Sequence, residues 1–197
     1  MKTETGWLNS RIESIKNGNP IDQFAATISP LTIRQDMAQG NIFAGGCGGG
    51  FPERLMLCSP ESDFSLLEPT DPSLVLDNPV EKKFSGQKPD LKPGKVTYFP
   101  ASLQTILPSF DQSSFDSVLF FRIQRLQEQL QEGLYKKLHR VIKPGGYLLG
   151  SGSFKGIQEC QEIFQGEFDV EQIVNLKNPD YSGYLYFQHL GFVLRKK

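Results

Sequence analysis

The chain is poor in the residues that most reactive patterns require. It has two histidines and three cysteines among 197 residues. Cys47, Cys58 and Cys160 are odd in number, far apart, and form no C-x-x-C pair. That excludes a disulfide framework and a four-ligand zinc site, and no metal is expected. No stretch approaches the ~20 apolar residues that cross a bilayer. The opening MKTETGWLNSRIESIKNG has no apolar core of the kind a secretory signal carries. A soluble, cytoplasmic chain with no membrane partner is therefore expected. There is no charge excess either: 21 Lys+Arg face 22 Asp+Glu, for a net charge of −1 and a pI near 6.1. A dedicated nucleic-acid binder usually carries a basic surplus, so nucleic acid is not an expected partner.

What the chain does have is apolar and aromatic substance and an excess of glycine. Hydrophobic residues make up 38% and aromatics 11%, which suits a folded core and not a disordered chain. The length fits one domain, able to bury roughly 70% of its unfolded surface. Glycines number 19, where ordinary usage would give about 14. Five of them fall between positions 45 and 50.

The pattern along the chain alternates. In residues 1–40, Trp7, Leu8, Ile12 and Ile15 recur at helical spacing and stop at Asn17-Gly18-Asn19-Pro20. Further short helices are expected over Ile21 to Thr27 and Pro30 to Gln39. Asn41 to Ala44 is a short apolar run that enters Gly45-Gly46-Cys47-Gly48-Gly49-Gly50, and Pro52 to Leu57 resumes a helical pattern. Strand, glycine-rich turn and helix is the natural reading. Strands are then expected at 64–67, 95–99, 115–121 and 147–150. A short helix or turn is expected over 102–107, a helix with an apolar stripe over 126–141, and another over 154–165. Two strands near 170–176 and 185–195 close the chain. Such alternation predicts an α/β fold, Rossmann-like and doubly wound. Its sheet should be mostly parallel with an antiparallel last strand, and helices should cover both faces.

A backbone that must approach a ligand at a strand's carboxyl end needs residues without side chains. The turn at 45–50 fits G-x-G-x-G over Gly46, Gly48 and Gly50, and fits the dinucleotide pattern G-x-G-x-x-G poorly, because Phe51 takes the third place. No G-K-S/T follows, so a P-loop is excluded. Alone, the cluster is also compatible with a plain flexible turn. Glu68, at the tip of the next strand, strengthens the ligand reading. A carboxylate there can accept hydrogen bonds from both hydroxyls of a ribose.

Together these segments resemble the class I S-adenosylmethionine-dependent methyltransferases, in their small-molecule (type 11) branch. The first motif is similar to Ile42-Phe43-Ala44-Gly45-Gly46-Cys47-Gly48-Gly49-Gly50, and the second-strand acid to Glu68 before Pro69-Thr70. Leu107-Pro108 with Ser114-Phe115-Asp116-Ser117-Val118 resembles the approach to the fourth strand. Leu138-His139-Arg140-Val141-Ile142-Lys143-Pro144-Gly145-Gly146-Tyr147-Leu148-Leu149 resembles the family's entry into the fifth. The match runs over residues 41–150 in order. It implies S-adenosylmethionine as cofactor, bound by Gly46, Cys47, Gly48, Gly50 and Glu68, with Ser102 and Leu103 at the adenine and Phe120 near the methyl group. It also implies one domain, with 1–40 as a helical cap, 41–150 as the cofactor-binding core and 151–197 as the closing helix and strands. In the cap, Trp7, Phe24, Ile33 and Met37 are candidates to cover the site or, equally, to pack on the sheet. Lys143 is expected to favour a helix C-terminus, and Pro144-Gly145-Gly146 to turn the chain into its strand. That segment is read as architecture without chemistry.

The implied reaction is methyl transfer to an oxygen or nitrogen of a small organic molecule, by in-line positioning. Phe120-Phe121-Arg122 does not resemble the Pro-Pro motif of exocyclic-amine enzymes, and no Pro-Cys pair serves pyrimidine C5 chemistry. No catalytic residue is singled out. Two family acids are absent: Ala44 replaces one, and the other has no counterpart at Pro100-Ala101-Ser102. A non-catalytic, methyltransferase-like module that binds a partner protein therefore stays open. His139 is expected at the surface, and His189 within the closing strand pair. Tyr181, Tyr184 and Tyr186 are expected as sheet or core residues, with a pocket wall as the alternative. Arg122, Arg125, Lys136, Lys137 and Arg140, interleaved with Glu128 and Glu132, are expected to form a solvated face.

Overall fold

A computed structural model describes residues 28–45, 62–67, 96–99, 103–121, 128, 130–176 and 188–197. The expected helices in 1–27 and 52–57 lie outside these residues. Among the described residues, seven strands form one sheet: β1 (Asn41–Gly45), β2 (Asp63–Leu67), β3 (Val96–Phe99), β4 (Phe115–Phe120), β5 (Ile142–Phe154), β6 (Phe168–Asn175) and β7 (Gln188–Lys196). Their order is β3-β2-β1-β4-β5-β7-β6. β3, β2, β1, β4 and β5 pair in parallel, and β7 runs antiparallel to both β5 and β6. The Rossmann-like, mostly parallel sheet with its reversed last strand is thus the observed fold.

Side-chain alternation assigns the two faces. Phe43, Val118, Phe120, Leu148 and Phe192 point to one of them, where they join α1 (Leu103–Ile106), α2 (Tyr135–Val141) and α3 (Ile157–Phe164) in a single core. Phenylalanine fills this layer. Phe164 meets Phe192 at 5.2 Å and Phe168 at 6.1 Å, and Phe154 meets Phe192 edge-on at 6.2 Å. Such pairs add about 0.5–1.5 kcal/mol each beyond area burial. Residues 28–38 lie on the other face, where Leu31 approaches Gly191 and Ser117 Oγ donates to the Met37 carbonyl at 2.7 Å.

Several boundaries differ from expectation. The helix expected over Pro30 to Gln39 is only a 3₁₀ turn, Gln35–Ala38, flanked by extended backbone at Arg34 and Gln39. The stripe Leu130, Leu134, Leu138 and Val141 is buried as expected, yet it is not on one continuous helix. Gly133, at φ 94°, kinks the chain within Leu130–Leu134, a conformation glycine adopts at little cost. β5 begins at Ile142 and continues past Gly150 to Phe154, since its ladder to β7 extends from Tyr147 to Phe154. Lys143 lies beyond the end of α2 and pairs with Asp116 at 2.8 Å instead of serving that helix.

Candidate functional site

The strand order turns at β1. On one side the chain moves out through β2 to β3, and on the other from β4 to β5. In sheets of this kind the crevice for a ligand opens at that switch point, outside the carboxyl ends of the strands. Register sets Ala44 opposite Leu119, which brings Gly45 level with Phe120 at this edge. A Cβ on Gly45 would lie 2.6 Å from Phe120 Cε1 and 3.2 Å from Leu103 Cδ2. A side chain at the end of β1 would force the buried Phe120 ring to shift.

The structure thus gathers two of the expected site residues, Leu103 and Phe120, around the last residue of β1. Phe120 has no exposed surface, so its ring supports the strand end from within the core; Leu103 is 7% exposed. Gly46, Cys47, Gly48 and Gly50 follow Gly45 in the chain, Glu68 follows the last residue of β2, and Ser102 precedes α1. These residues lie outside the described set, as do Trp7, Phe24, Arg122, Arg125, Tyr181, Tyr184 and Tyr186. Ile33 and Met37 are buried against the sheet, and the bond from Ser117 to Met37 places the latter toward the amino half of β4. Of the two roles considered for them, packing is the observed one.

An aromatic row that starts at this edge and runs back along the sheet was not singled out from the sequence. Phe99, half-buried, ends β3 and meets Phe110 edge-on at 5.1 Å. Phe110 in turn contacts Phe43 at 5.6 Å and Phe115 at 4.9 Å. The signal was available: Phe99 immediately precedes the Pro100-Ala101-Ser102 stretch. Ala44 is fully buried, in register between Leu66 and Leu119. It offers no carboxylate at the head of the glycine-rich turn.

His189 begins the reversed strand β7, so it lies toward the same edge, opposite Ser153. It is buried, and its backbone carbonyl accepts a hydrogen bond from Leu176 N at 2.8 Å. Burial holds its imidazole below the ordinary value, so it is neutral at pH 7. His139 is not fully at the surface. Its ring packs edge-on against Phe168 at 5.5 Å, with Glu167 3.5 Å away. Burial and the nearby Lys196 charge lower its pKa and outweigh the opposing pull of Glu167. Cys160, buried in α3, has its thiol pushed up to about 12 by burial and then by Glu159, which keeps it protonated and inert.

The opposite edge of the sheet is cross-linked by polar groups. A register shift between Phe115 and Ser117 accompanies Asp116, whose carboxylate takes Asn41 N–H at 2.8 Å and Lys143 Nζ at 2.8 Å. Arg34 forms a second knot, with Asp36 at 3.1 Å, Glu171 at 3.2 Å and Tyr147 OH at 2.8 Å. Burial pushes the Asp36 carboxyl upward, but its hydrogen bond and attraction to Arg34 win and hold it below the usual range. Burial, then the Asp36 charge, raises the Tyr147 phenol. Among the described residues no cluster could hold a metal ion, and no helix is long and apolar enough to cross a membrane.

No family model matches the sequence, and no curated protein matches it. Solved structures do match in fold. A SAM-dependent methyltransferase from Methanosarcina mazei aligns with TM-score 0.57 and 16% identity, over 80% of this chain and 92% of its own. The N-methyltransferase NodS from Bradyrhizobium japonicum WM9, in complex with S-adenosyl-L-homocysteine, aligns with TM-score 0.53 and 12% identity, over 96% and 98%. The cyclase SpnF aligns with TM-score 0.59 and 14% identity, over 98% and 92%. The chain has the class I S-adenosylmethionine-dependent methyltransferase fold.

Proposed function

We propose that this chain binds S-adenosylmethionine across the carboxyl ends of β1, β2 and β4 and transfers its methyl group to an oxygen or nitrogen of a small organic molecule. The observation that carries this reading is the packing at Gly45. At the switch point of a methyltransferase fold, β1 ends on a residue whose side chain would displace the buried Phe120 ring, directly before Gly46-Cys47-Gly48-Gly49-Gly50. A glycine-rich backbone at that place can approach a ligand closely. The apolar Leu103 and the half-buried Phe99 suit the face of a purine, and Glu68 suits a ribose diol. Gly46, Cys47, Gly48 and Gly50 would pass beside the methionine part, with Ser102 offering a hydroxyl to the adenine and Phe120 supporting the strand end.

The cofactor, when bound, supplies an already activated methyl group. The chain's own task is to hold acceptor and methyl in line and exclude water, an advantage of orientation more than of acid–base strength. One domain suffices for this. Ala44 favours a second reading. Its buried methyl leaves the turn without an acid, and losing one such contact costs about 1–3 kcal/mol of binding. A non-catalytic module that binds a partner protein is consistent with that loss, and one fold commonly carries several functions. Calorimetric titration with S-adenosylmethionine and S-adenosylhomocysteine separates the two. Binding of both supports the enzyme; no heat and no thermal shift at millimolar ligand leaves the module.

A further inference from the structure

Arg140 belongs to a segment expected to be architectural and lies just before β5 begins at the amino edge, yet it grips a stretch whose other end is at the site. Its Nη2 donates to three backbone carbonyls, those of Leu107 at 2.9 Å, Pro108 at 3.2 Å and Phe110 at 2.6 Å. Its own carbonyl accepts from Ser113 N at 2.9 Å. One turn before it on α2, Lys137 Nζ donates to Gln104 Oε1 at 2.5 Å and approaches the Gln104 carbonyl at 3.5 Å. Two cations of α2 thus hold both ends of the stretch formed by α1 and the 3₁₀ turn Leu107–Ser109. Carbonyls at such helix ends have no partner within the helix, and a guanidinium, with five donors in a fixed fork, can gather several of them.

What this stretch carries gives the contacts their meaning. Its first residue is Leu103, which bounds the space at Gly45. At its far end is Phe110, whose ring braces Phe99 at the end of β3 and Phe43 within β1. We propose that Arg140, assisted by Lys137, is a positioning residue for the adenine side of the cofactor pocket. It fixes the backbone of 103–110 so that Leu103 and Phe99 stay in place at the carboxyl edge. This rests on the reading of that edge as an S-adenosylmethionine site. Arg140 touches no ligand in this account; it acts through the segment it grips.

The test compares wild type, Arg140→Met, Arg140→Lys and Lys196→Met. Lys196 Nζ also donates to a backbone carbonyl, that of Ile142 at 2.7 Å, at the same edge of the sheet as Arg140 but away from the 103–110 stretch. Its loss therefore controls for destabilisation alone. Titration with S-adenosylhomocysteine should show affinity weakened about tenfold in Arg140→Met and less in Arg140→Lys, with Lys196→Met unchanged. Where turnover is measured, KM for S-adenosylmethionine should rise while kcat stays within about twofold. Hydrogen exchange without ligand should speed up at amides 103–113 in Arg140→Met. Should that variant not fold, Arg140→Lys carries the same comparison. Unchanged affinity beside faster exchange overturns the positioning role and leaves the functional reading intact. An equal loss of affinity in Lys196→Met also overturns it. Wild-type protein that binds neither ligand overturns the functional reading, and the positioning role with it.

Discussion

The two edges of the sheet are built from different materials. At the amino edge, Asp116 joins Asn41 to Lys143, and Arg34 joins Asp36, Tyr147 and Glu171, so charged side chains bind neighbouring segments together. At the carboxyl edge, Gly45, Leu103 and Phe120 meet by close apolar packing, with Phe99 against Phe110, and among the described residues Arg140 and Lys137 act there at one remove, through the 103–110 stretch. On the proposed function, the difference separates a stabilising edge from a binding one. The polar edge needs no ligand to be satisfied.

That separation can be broken deliberately, and the largest effect is expected at Gly146. A Cβ there would come 2.6 Å from the Asp116 carbonyl oxygen and 3.0 Å from that of Lys143, both backbone atoms that cannot swing aside. Overpacking of this kind costs about 1–3 kcal/mol or more, so Gly146→Ala should lower Tm by about 5 °C or more. Its affinity for S-adenosylhomocysteine should stay within about twofold of wild type. A tenfold loss of affinity would show that the edges are not separate.

Gly45→Ala makes the converse comparison. Its new methyl meets side-chain atoms, Leu103 at 3.2 Å and the Phe120 ring at 2.6 Å, so that ring must shift but no backbone need move, and a smaller stability loss of about 1–2 kcal/mol is expected. Affinity should fall at least tenfold, because Leu103 and the start of the glycine turn are displaced together. Normal affinity in this variant would remove the site from the end of β1.

The smallest effect is that of pH. His139 and His189 both sit below the ordinary histidine value, chiefly through burial. In the unfolded chain they bind protons near pH 6.5, and in the fold only at lower pH. The stability they provide is therefore complete above about pH 6.5 and is lost as pH falls below it toward the folded values. Asp36, held low, adds its own loss only below about pH 3.9. Tm should drop by a few degrees between pH 7.5 and 5.5, and His189→Gln should flatten the curve more than His139→Gln, since His189 is the more deeply buried. A flat wild-type curve would contradict this.

The sequence made the fold legible because its signals were local and repeated. Apolar runs at 41–44, 64–67 and 115–121 each became strands, and Leu130, Leu134 and Leu138 were buried as their spacing required. What it did not reveal depended on contacts between distant segments. Gly133 reads as an ordinary helix residue until its φ is known. Nothing near Ile142 announces that pairing with β7 will carry β5 to Phe154. Arg140 and Lys137 look like a solvated basic face, because their partners lie about thirty residues upstream. At the site, the preference for glycine at the end of β1 was readable; the Phe99–Phe110 contact arises only when β3 and the stretch before β4 are brought together.

The central claim is that a turn headed by Ala44, without the family's acid, still holds the cofactor. Calorimetric titration of the full chain with S-adenosylmethionine, beside a Glu68→Ala variant, tests it most directly. The account predicts saturable binding by wild type, weakened about tenfold or more in the variant. No heat from wild type at millimolar ligand would contradict it.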